Sequence, residues 1–157
     1  MGKIKTVLFV CTGNSCRSII AEGLLKKYLA DRGRQDVRVI SAGVGTIDGM
    51  SPANYAIEVL RREGVDASRY RTKVLTGDMI RNADIILVME EFHRDEVLMR
   101  DPGARGKTFL LGQFGRNRSG APLDDAEIPD PVGHPIEDYE SCLNTIKDQV
   151  KRIVELL

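Results

Sequence analysis

The chain lacks several features that mark specialised classes of protein. It has no tryptophan, only 5% aromatic residues, three cysteines and two histidines among 157 residues. Its 23 basic and 23 acidic residues give a formal net charge of zero, so no overall charge favours nucleic acid or an anionic membrane. No run approaches the roughly 20 apolar residues of a membrane-spanning helix, and the N-terminus does not read as a signal peptide. We therefore expect a cytoplasmic protein with no nucleic-acid or membrane partner.

The few cysteines and histidines also limit the chemistry. An odd number of cysteines without a secretory signal disfavours a disulfide scaffold. Four residues separate Cys11 from Cys16, and His93 and His134 each stand alone, so no zinc-ligand spacing is present. We expect no metal and no cofactor. Cys142 falls in an apolar periodic segment and is expected to pack in the core.

Hydrophobic patterning predicts strands that alternate with helices. Strands are expected over 6–10, 37–40, 84–89 and 107–111, and helices over 19–31, 53–63, 91–99 and 136–157, with a further short helix from 76. Ser51 is the expected N-cap of the second helix, with Pro52 at its first position. Residues 112–136 have no clear period and predict a long loop. This order indicates one α/β domain over 1–157, with a parallel sheet and helices on both faces.

The segment CTGNSCRS, residues 11–18, joins the first strand to the first helix. A short loop at a helix N-terminus points several backbone N–H groups into one concavity and so forms an anion site. Arg17 adds a planar cation that can hold two phosphate oxygens at once. Cys11 would lie beneath the anion as a thiolate nucleophile, and Ser18 could donate a hydrogen bond to its sulfur. The segment therefore predicts attack on phosphorus, or on a similar oxyanion such as arsenate, without a metal.

The chain resembles the low-molecular-weight protein-tyrosine-phosphatase family over essentially its whole length. The matching pieces are VLFVCTGNSCRS (7–18), SAG (41–43), DIILVM (84–89) and DP (130–131), in the family's order. The resemblance implies a three-layer fold around a four-stranded parallel sheet, with the phosphate loop between the first strand and the first helix. It also implies that Cys11 and Arg17 are catalytic, that a phosphocysteine forms, and that the substrate is a phosphorylated protein or peptide. The implied phosphate-binding residues are Thr12, Gly13, Asn14, Ser15, Cys16 and Ser18, with Asn14 bracing the loop.

The reaction needs a general acid, and one carboxylate can act as acid and then as base. The family keeps this carboxylate in an Asp-Pro pair before the last helix, here Asp130. The charge layout agrees: residues 1–40 hold eight Lys/Arg and three acids, whereas residues 121–140 hold seven acids and no Lys/Arg. Asp101-Pro102 is a second such pair, and Asp124 and Asp125 are weaker rivals.

The substrate class is left open between phosphotyrosine and phosphoarginine. In the family's tyrosine phosphatases, aromatic residues line the pocket that takes the substrate. This chain has no aromatic residue directly after Asp130-Pro131 or in the loop that follows residues 41–43. Most family tyrosine phosphatases carry an apolar residue at the position of Ser15, whereas the protein-arginine-phosphatase branch carries threonine there. An acidic wall of Asp124, Asp125 and Glu127 would suit a cationic phosphoarginine.

Two other classes of protein could use an oxyanion-binding loop of this kind. An arsenate reductase would need further cysteines near the site, and Cys142, in the last helix, does not fit that place. A non-catalytic oxyanion-binding module would be expected to have lost the nucleophile.

The sequence also predicts a redox role for Cys16, which could form a disulfide with Cys11 and protect it from over-oxidation. The oligomeric state stays open, with a monomer as the default.

Overall fold

The centre of the molecule is a four-stranded parallel sheet in the order β2-β1-β3-β4. The structure, a computed structural model, describes residues 3–116 and 126–157. The strands are β1 (Thr6–Cys11), β2 (Arg38–Gly43), β3 (Ile85–Val88) and β4 (Thr108–Leu110). The predicted α/β class and parallel sheet are confirmed. Strand β2 is longer than predicted because residues 41–43 continue the pairing with the end of β1, where Cys11 lies opposite Gly43.

In the part of the chain that the structure describes, five α-helices cover the two faces of the sheet. They are α1 (Arg17–Asp31), α2 (Asn54–Arg62), α3 (Gly77–Asn82), α4 (Glu91–Arg100) and α5 (Ile136–Leu156), and a short 3-10 helix spans Pro102–Lys107. Helices α1, α2 and α5 pack against one another, while α3 and α4 lie with the second hydrophobic cluster. The predicted three-layer arrangement is therefore confirmed, and the 3-10 helix is an element that the periodicity does not predict.

The apolar run of β1 is buried from both sides. Val7 and Phe9 join the cluster under α1 and α5, whereas Leu8 and Val10 join the cluster under α3 and α4. All four side chains are fully buried, which is why this strand reads as a continuous apolar segment and not as an alternating one. The strand therefore fixes the position of the loop that follows it.

The start of α2 differs from the prediction. The residue that precedes the helix is Ala53, and neither Ser51 nor Pro52 takes the predicted capping position. The Ala53 backbone N–H donates to the Ser15 carbonyl at 2.9 Å, so the chain stays extended as far as Ala53 before it turns into the helix. This contact ties the N-terminus of α2 to the loop at residues 11–18.

The predicted long loop is described only in part. Residues 111–116 form turns and residues 126–135 are irregular, while residues 117–125 lie outside the described residues. Within residues 3–116 and 126–157, no helix combines the length and the apolar character that crossing a membrane requires.

Candidate active site

The loop between β1 and α1 forms the floor of a cavity of about 220 Å³. Cys11 is the last residue of β1 and Arg17 is the first residue of α1, so both are positioned by regular structure. The residues that line the cavity are Cys11, Thr12, Gly13, Ser15, Cys16, Arg17, Asp130 and Val132. The structure thus brings together the three predicted catalytic residues, and Asn14 and Ser18 lie buried behind them.

Asn14 holds the loop in shape from below. Its backbone has a φ of 52°, in the left-handed region that asparagine adopts more readily than most residues. Its side-chain oxygen accepts from the Lys73 backbone N–H at 2.8 Å, and its amide nitrogen donates to Ser18 Oγ and Ser41 Oγ at 2.8 and 2.9 Å. Ser41 Oγ in turn donates to the buried carboxylate of Glu22 at 2.5 Å. Every polar atom of the Asn14 side chain is therefore used in bracing the loop.

Gly43 explains the second matching motif, residues 41–43. A Cβ at this position would lie 2.6 Å from the Thr12 carbonyl oxygen and 2.9 Å from the Asn14 backbone nitrogen. Real Cβ atoms do not approach backbone this closely, so only glycine lets the loop lie against the end of β2.

Two hydrogen-bonding groups of the loop and of α1 face the Cys11 sulfur. The Asn14 backbone N–H donates to it at 3.3 Å, and Ser18 Oγ lies 2.9 Å away. Because Ser18 Oγ accepts from the Asn14 amide, its own proton is free to point at Cys11 Sγ. Both contacts place a donor where it can hydrogen-bond to a thiolate sulfur, the form that attacks.

Arg17 is buried, yet it is held by oxygen atoms on the side away from the cavity. Its Nη1 donates to Glu90 Oε2 at 2.5 Å and to the Ile128 carbonyl at 2.7 Å. Although burial alone would lower the pKa of the guanidinium, the Glu90 hydrogen bond and the charges of Cys11 and Asp130 raise the pKa of Arg17 above its usual value. Arg17 therefore offers a permanent positive charge to the cavity in a fixed orientation.

Asp130 stands at the rim of the same cavity. Its Oδ2 lies 3.7 Å from Arg17 Nη2, its Oδ1 accepts from the Val132 backbone N–H at 3.0 Å, and its side chain is 42% exposed. The rival Asp101 is elsewhere: it caps the 3-10 helix by accepting from the Gly103 backbone N–H at 2.9 Å. Asp124 and Asp125 lie outside the described residues.

Cys16 and Cys142 form a pair that the sequence does not predict. Both thiols are free and buried, as expected for Cys142. A hydrogen bond between the two side chains, and then burial, raise the pKa of Cys16 above its usual value. The expectation that Cys142 lies away from the site is therefore wrong: α5 packs against α1 and brings Cys142 to the thiol that precedes α1.

The described part of the expected acidic wall does not face the cavity. Glu127 accepts from the Glu91 backbone N–H at 2.7 Å and so serves the N-terminus of α4, where a carboxylate is favoured. Its carboxylate is thus occupied by a structural contact. The acidic segment contributes to the cavity through Asp130.

Two residues that lie next to the cavity are not predicted from the sequence. Glu90 holds Arg17, and His93 Nε2 lies 2.8 Å from Thr12 Oγ1. Both are at the start of α4, directly after β3, and parallel strands present such residues at the same edge as the loop after β1. Their position directly after a predicted buried strand is the sequence feature that could have indicated them.

A buried thiol at the end of a strand, beneath a loop of backbone N–H groups that an arginine closes, defines a cysteine-based phosphatase. The family model for low molecular weight phosphotyrosine protein phosphatase matches residues 6–157. The chain belongs to this family.

Proteins similar to this chain agree with that assignment. The low molecular weight protein-tyrosine-phosphatase Etp of Escherichia coli K12 is 42% identical over 130 residues, which is 82% of this chain and 78% of Etp. A protein-arginine-phosphatase of Geobacillus stearothermophilus is 37% identical over 151 residues, 96% of this chain and 95% of that protein. The crystal structure of the tyrosine phosphatase Wzb from Escherichia coli K30, in complex with sulphate, has a TM-score of 0.85 at 33% identity and covers 98% of this chain and 99% of Wzb.

Proposed function

We propose that this protein hydrolyses phosphotyrosine in proteins or peptides through a phosphocysteine intermediate. The observation that carries the proposal is the convergence of the Cys11 thiol, the Arg17 guanidinium and the Asp130 carboxylate on one cavity. A solved relative, Wzb from Escherichia coli K30, has sulphate bound, and sulphate has the charge and tetrahedral shape of a phosphoryl group. These residues supply a nucleophile, an anion clamp and a proton donor, which the reaction requires.

In the first step, the Cys11 thiolate attacks phosphorus and the bond from phosphorus to the tyrosine oxygen breaks. The loop N–H groups and Arg17 hold the phosphoryl oxygens, whose negative charge needs stabilisation in the transition state. Asp130 in its protonated form gives its proton to the departing phenol oxygen. The products of this step are free tyrosine on the peptide, a phosphocysteine and an ionised Asp130.

In the second step, water attacks the phosphocysteine and the sulfur–phosphorus bond breaks. Asp130 now accepts a proton from the water, and inorganic phosphate leaves. The sulfur departs as a thiolate, a form that the hydrogen bonds from Ser18 and the Asn14 backbone N–H stabilise. One carboxylate therefore serves both steps.

Phosphoarginine is the second candidate substrate, because Ser15 lines the cavity. Its carbonyl receives the Ala53 N–H, and its hydroxyl makes no hydrogen bond within the part of the chain that the structure describes. A free hydroxyl at the cavity wall can contact a guanidinium or the hydrolytic water. One relative, the Geobacillus stearothermophilus protein, is named a protein-arginine-phosphatase.

The test is a comparison of kcat/KM on matched phosphotyrosine and phosphoarginine peptides. Cys11→Ser should abolish both activities, and full activity in this variant contradicts the proposed mechanism. Ser15→Ile removes the hydroxyl and Ser15→Thr keeps it. If Ser15 supports phosphoarginine hydrolysis, only the isoleucine variant shifts the preference further toward phosphotyrosine. An unchanged ratio in both variants rules out this role.

We also propose that the protein works in the cytoplasm and that a disulfide protects its nucleophile from over-oxidation. All three cysteines are free thiols, the state that a reducing compartment such as the cytoplasm maintains. We propose that Cys16 protects Cys11 by forming a disulfide when peroxide oxidises the nucleophile. Oxidation gives a sulfenic acid at Cys11, the Cys16 thiol attacks that sulfur, and water leaves. Both residues line the same cavity, which supports this step.

A further inference from the structure

His93 is a fully buried histidine with a partner on each ring nitrogen. It lies in the first turn of α4, directly behind the phosphate loop. Its Nδ1 accepts from the Glu90 backbone N–H at 3.0 Å, and its Nε2 lies 2.8 Å from Thr12 Oγ1. The ring therefore connects the start of α4 to the first loop residue after the nucleophile.

The position of the ring proton follows from these contacts. A backbone N–H can only donate, so Nδ1 must carry a lone pair. Burial, and then the charge of Arg17, lower the pKa of His93 to about 4, so the ring is neutral near neutral pH. A neutral imidazole has one proton, which must therefore be on Nε2. His93 consequently donates to the Thr12 hydroxyl oxygen and cannot accept from it.

The direction of this bond leaves the Thr12 proton free. Thr12 Oγ1 also faces Arg17 Nη2 at 3.5 Å, and an arginine nitrogen is again a donor. Within the described residues the Thr12 hydroxyl has no other partner, so its own hydrogen has no acceptor there. Thr12 lines the cavity, and a bound phosphoryl group would supply an acceptor.

We infer that the Thr12 side chain donates a hydrogen bond to the bound phosphoryl group, and that His93 is a positioning residue that orients this hydroxyl. The inference rests on the proposed phosphatase function and adds a side-chain donor to the backbone N–H groups of the loop. Glu90 couples this donor to the arginine clamp, because its backbone holds His93 while its carboxylate holds Arg17. The start of α4 thereby orients two of the groups that meet the phosphate.

Four variants test the inference with phenyl phosphate as substrate and inorganic phosphate as competitive inhibitor. Thr12→Val keeps the shape and removes the hydroxyl, whereas Thr12→Ser keeps the hydroxyl. His93→Asn keeps an acceptor near the position of Nδ1 and removes the Nε2 donor. The fourth variant combines Thr12→Val with His93→Asn. His134→Asn is the matched control, because His134 is exposed and pairs with Asp138 outside this cavity.

A hydrogen bond to a charged group predicts that Thr12→Val lowers kcat/KM and weakens phosphate inhibition by about 10- to 100-fold. Thr12→Ser should stay within about threefold of the parent, since the donor is retained. His93→Asn should lower kcat/KM in the parent and have little further effect in Thr12→Val, because the positioned donor is already gone. A purely structural role of His93 predicts additive losses instead.

The inference is overturned if Thr12→Val stays within twofold of the parent, or if the two losses add. Nitrogen-15 NMR of the ring gives an independent answer in the parent protein: protonated Nε2 and bare Nδ1 at His93 are expected, and the opposite tautomer contradicts the inference. A parent protein that hydrolyses no aryl phosphate would instead contradict the proposed function. An active parent with an unaffected Thr12→Val contradicts only the role of Thr12.

Discussion

Replacing Asp130 by asparagine isolates proton transfer at the active site. Asparagine has nearly the same shape, and its side-chain oxygen can still accept from the Val132 backbone N–H, now 3.0 Å from Oδ1. The variant loses the exchangeable proton and the negative charge 3.7 Å from Arg17 Nη2. The loop contact is kept, so a change in rate reports the lost chemistry once the lost charge has been accounted for.

The electrostatic loss is small compared with the expected catalytic loss. Two charges 3.7 Å apart attract by about 1 kcal/mol in water and by about 4–5 kcal/mol at an effective dielectric constant of about 20. Arg17 is buried but Asp130 is 42% exposed, so solvent screens the pair and brings its net contribution toward the lower of these two values. General acid catalysis contributes about 10²- to 10⁴-fold in rate, or about 3–5 kcal/mol of barrier. The two effects are therefore separable.

The assay is kcat/KM across aryl phosphates whose phenols differ in acidity. Phenol is a poor leaving group without a proton, so Asp130→Asn should slow phenyl phosphate by about 10²- to 10³-fold. Nitrophenolate departs without a proton, and the loss on 4-nitrophenyl phosphate should be about tenfold or less. Asp101→Asn is the matched control from the other Asp-Pro pair and should leave both rates unchanged. Equal losses on both substrates in Asp130→Asn would refute the general-acid role.

Three further predictions concern stability and oxidation. Asn14→Ala loses three buried hydrogen bonds and puts alanine at a φ of 52°, so its free energy of unfolding, measured in urea, should fall by about 4–5 kcal/mol. Asn14→Gly loses the same hydrogen bonds without the backbone strain, so its loss should be about 1 kcal/mol smaller. Equal losses in the two variants would contradict a contribution from backbone strain. Unfolded His93 takes a proton at its ordinary pKa and folded His93 only near pH 4, so stability is lost as the pH falls through this interval. The parent should lose about 3 kcal/mol more than His93→Asn between pH 7 and pH 4, measured by urea unfolding at each pH. Activity is measured after treatment with peroxide and then with a thiol reductant. The parent should recover activity, whereas Cys16→Ser should not, because its Cys11 over-oxidises. Cys142→Ser should recover like the parent if Cys16 alone forms the disulfide with the oxidised Cys11.

The phosphate loop could be predicted from the sequence because its parts are contiguous. Cys11 and Arg17 reach one cavity, with Ser18 buried behind them, through the local geometry of a strand, a tight loop and a helix, which eight consecutive residues are enough to encode. Asp130 is distant in sequence, and only the family's Asp-Pro motif and the charge layout indicate it. The motif's place before the last helix distinguishes Asp130 from Asp101, because the two Asp-Pro pairs look alike as dipeptides.

The supporting contacts could not be predicted, because they depend on how separate elements pack. Glu90 directly precedes the short helix α4 and His93 lies in its first turn, and the sequence pattern of this segment does not mark either residue as a neighbour of the loop. The parallel order of β1 and β3 brings the start of that helix behind the loop. In the same way, Cys142 follows an ordinary core periodicity, and only the packing of α5 on α1 makes it a neighbour of Cys16. Periodicity identifies which face is buried but does not identify its partner.

Arg17 has two carboxylate neighbours, one held tightly and one held weakly, and this difference suits the steps of the proposed reaction. Glu90 contacts Nη1 at 2.5 Å from the buried side, whereas Asp130 lies 3.7 Å from Nη2, beyond hydrogen-bond distance and partly in solvent. In the proposed reaction, an incoming phosphoryl group competes for Nη2 and does not disturb the Glu90 contact. Asp130 then gives up a weak ion pair and is no longer held by Arg17. Substrate binding in this scheme exchanges one partner of Arg17 and releases the side chain that, once protonated, gives its proton to the leaving group.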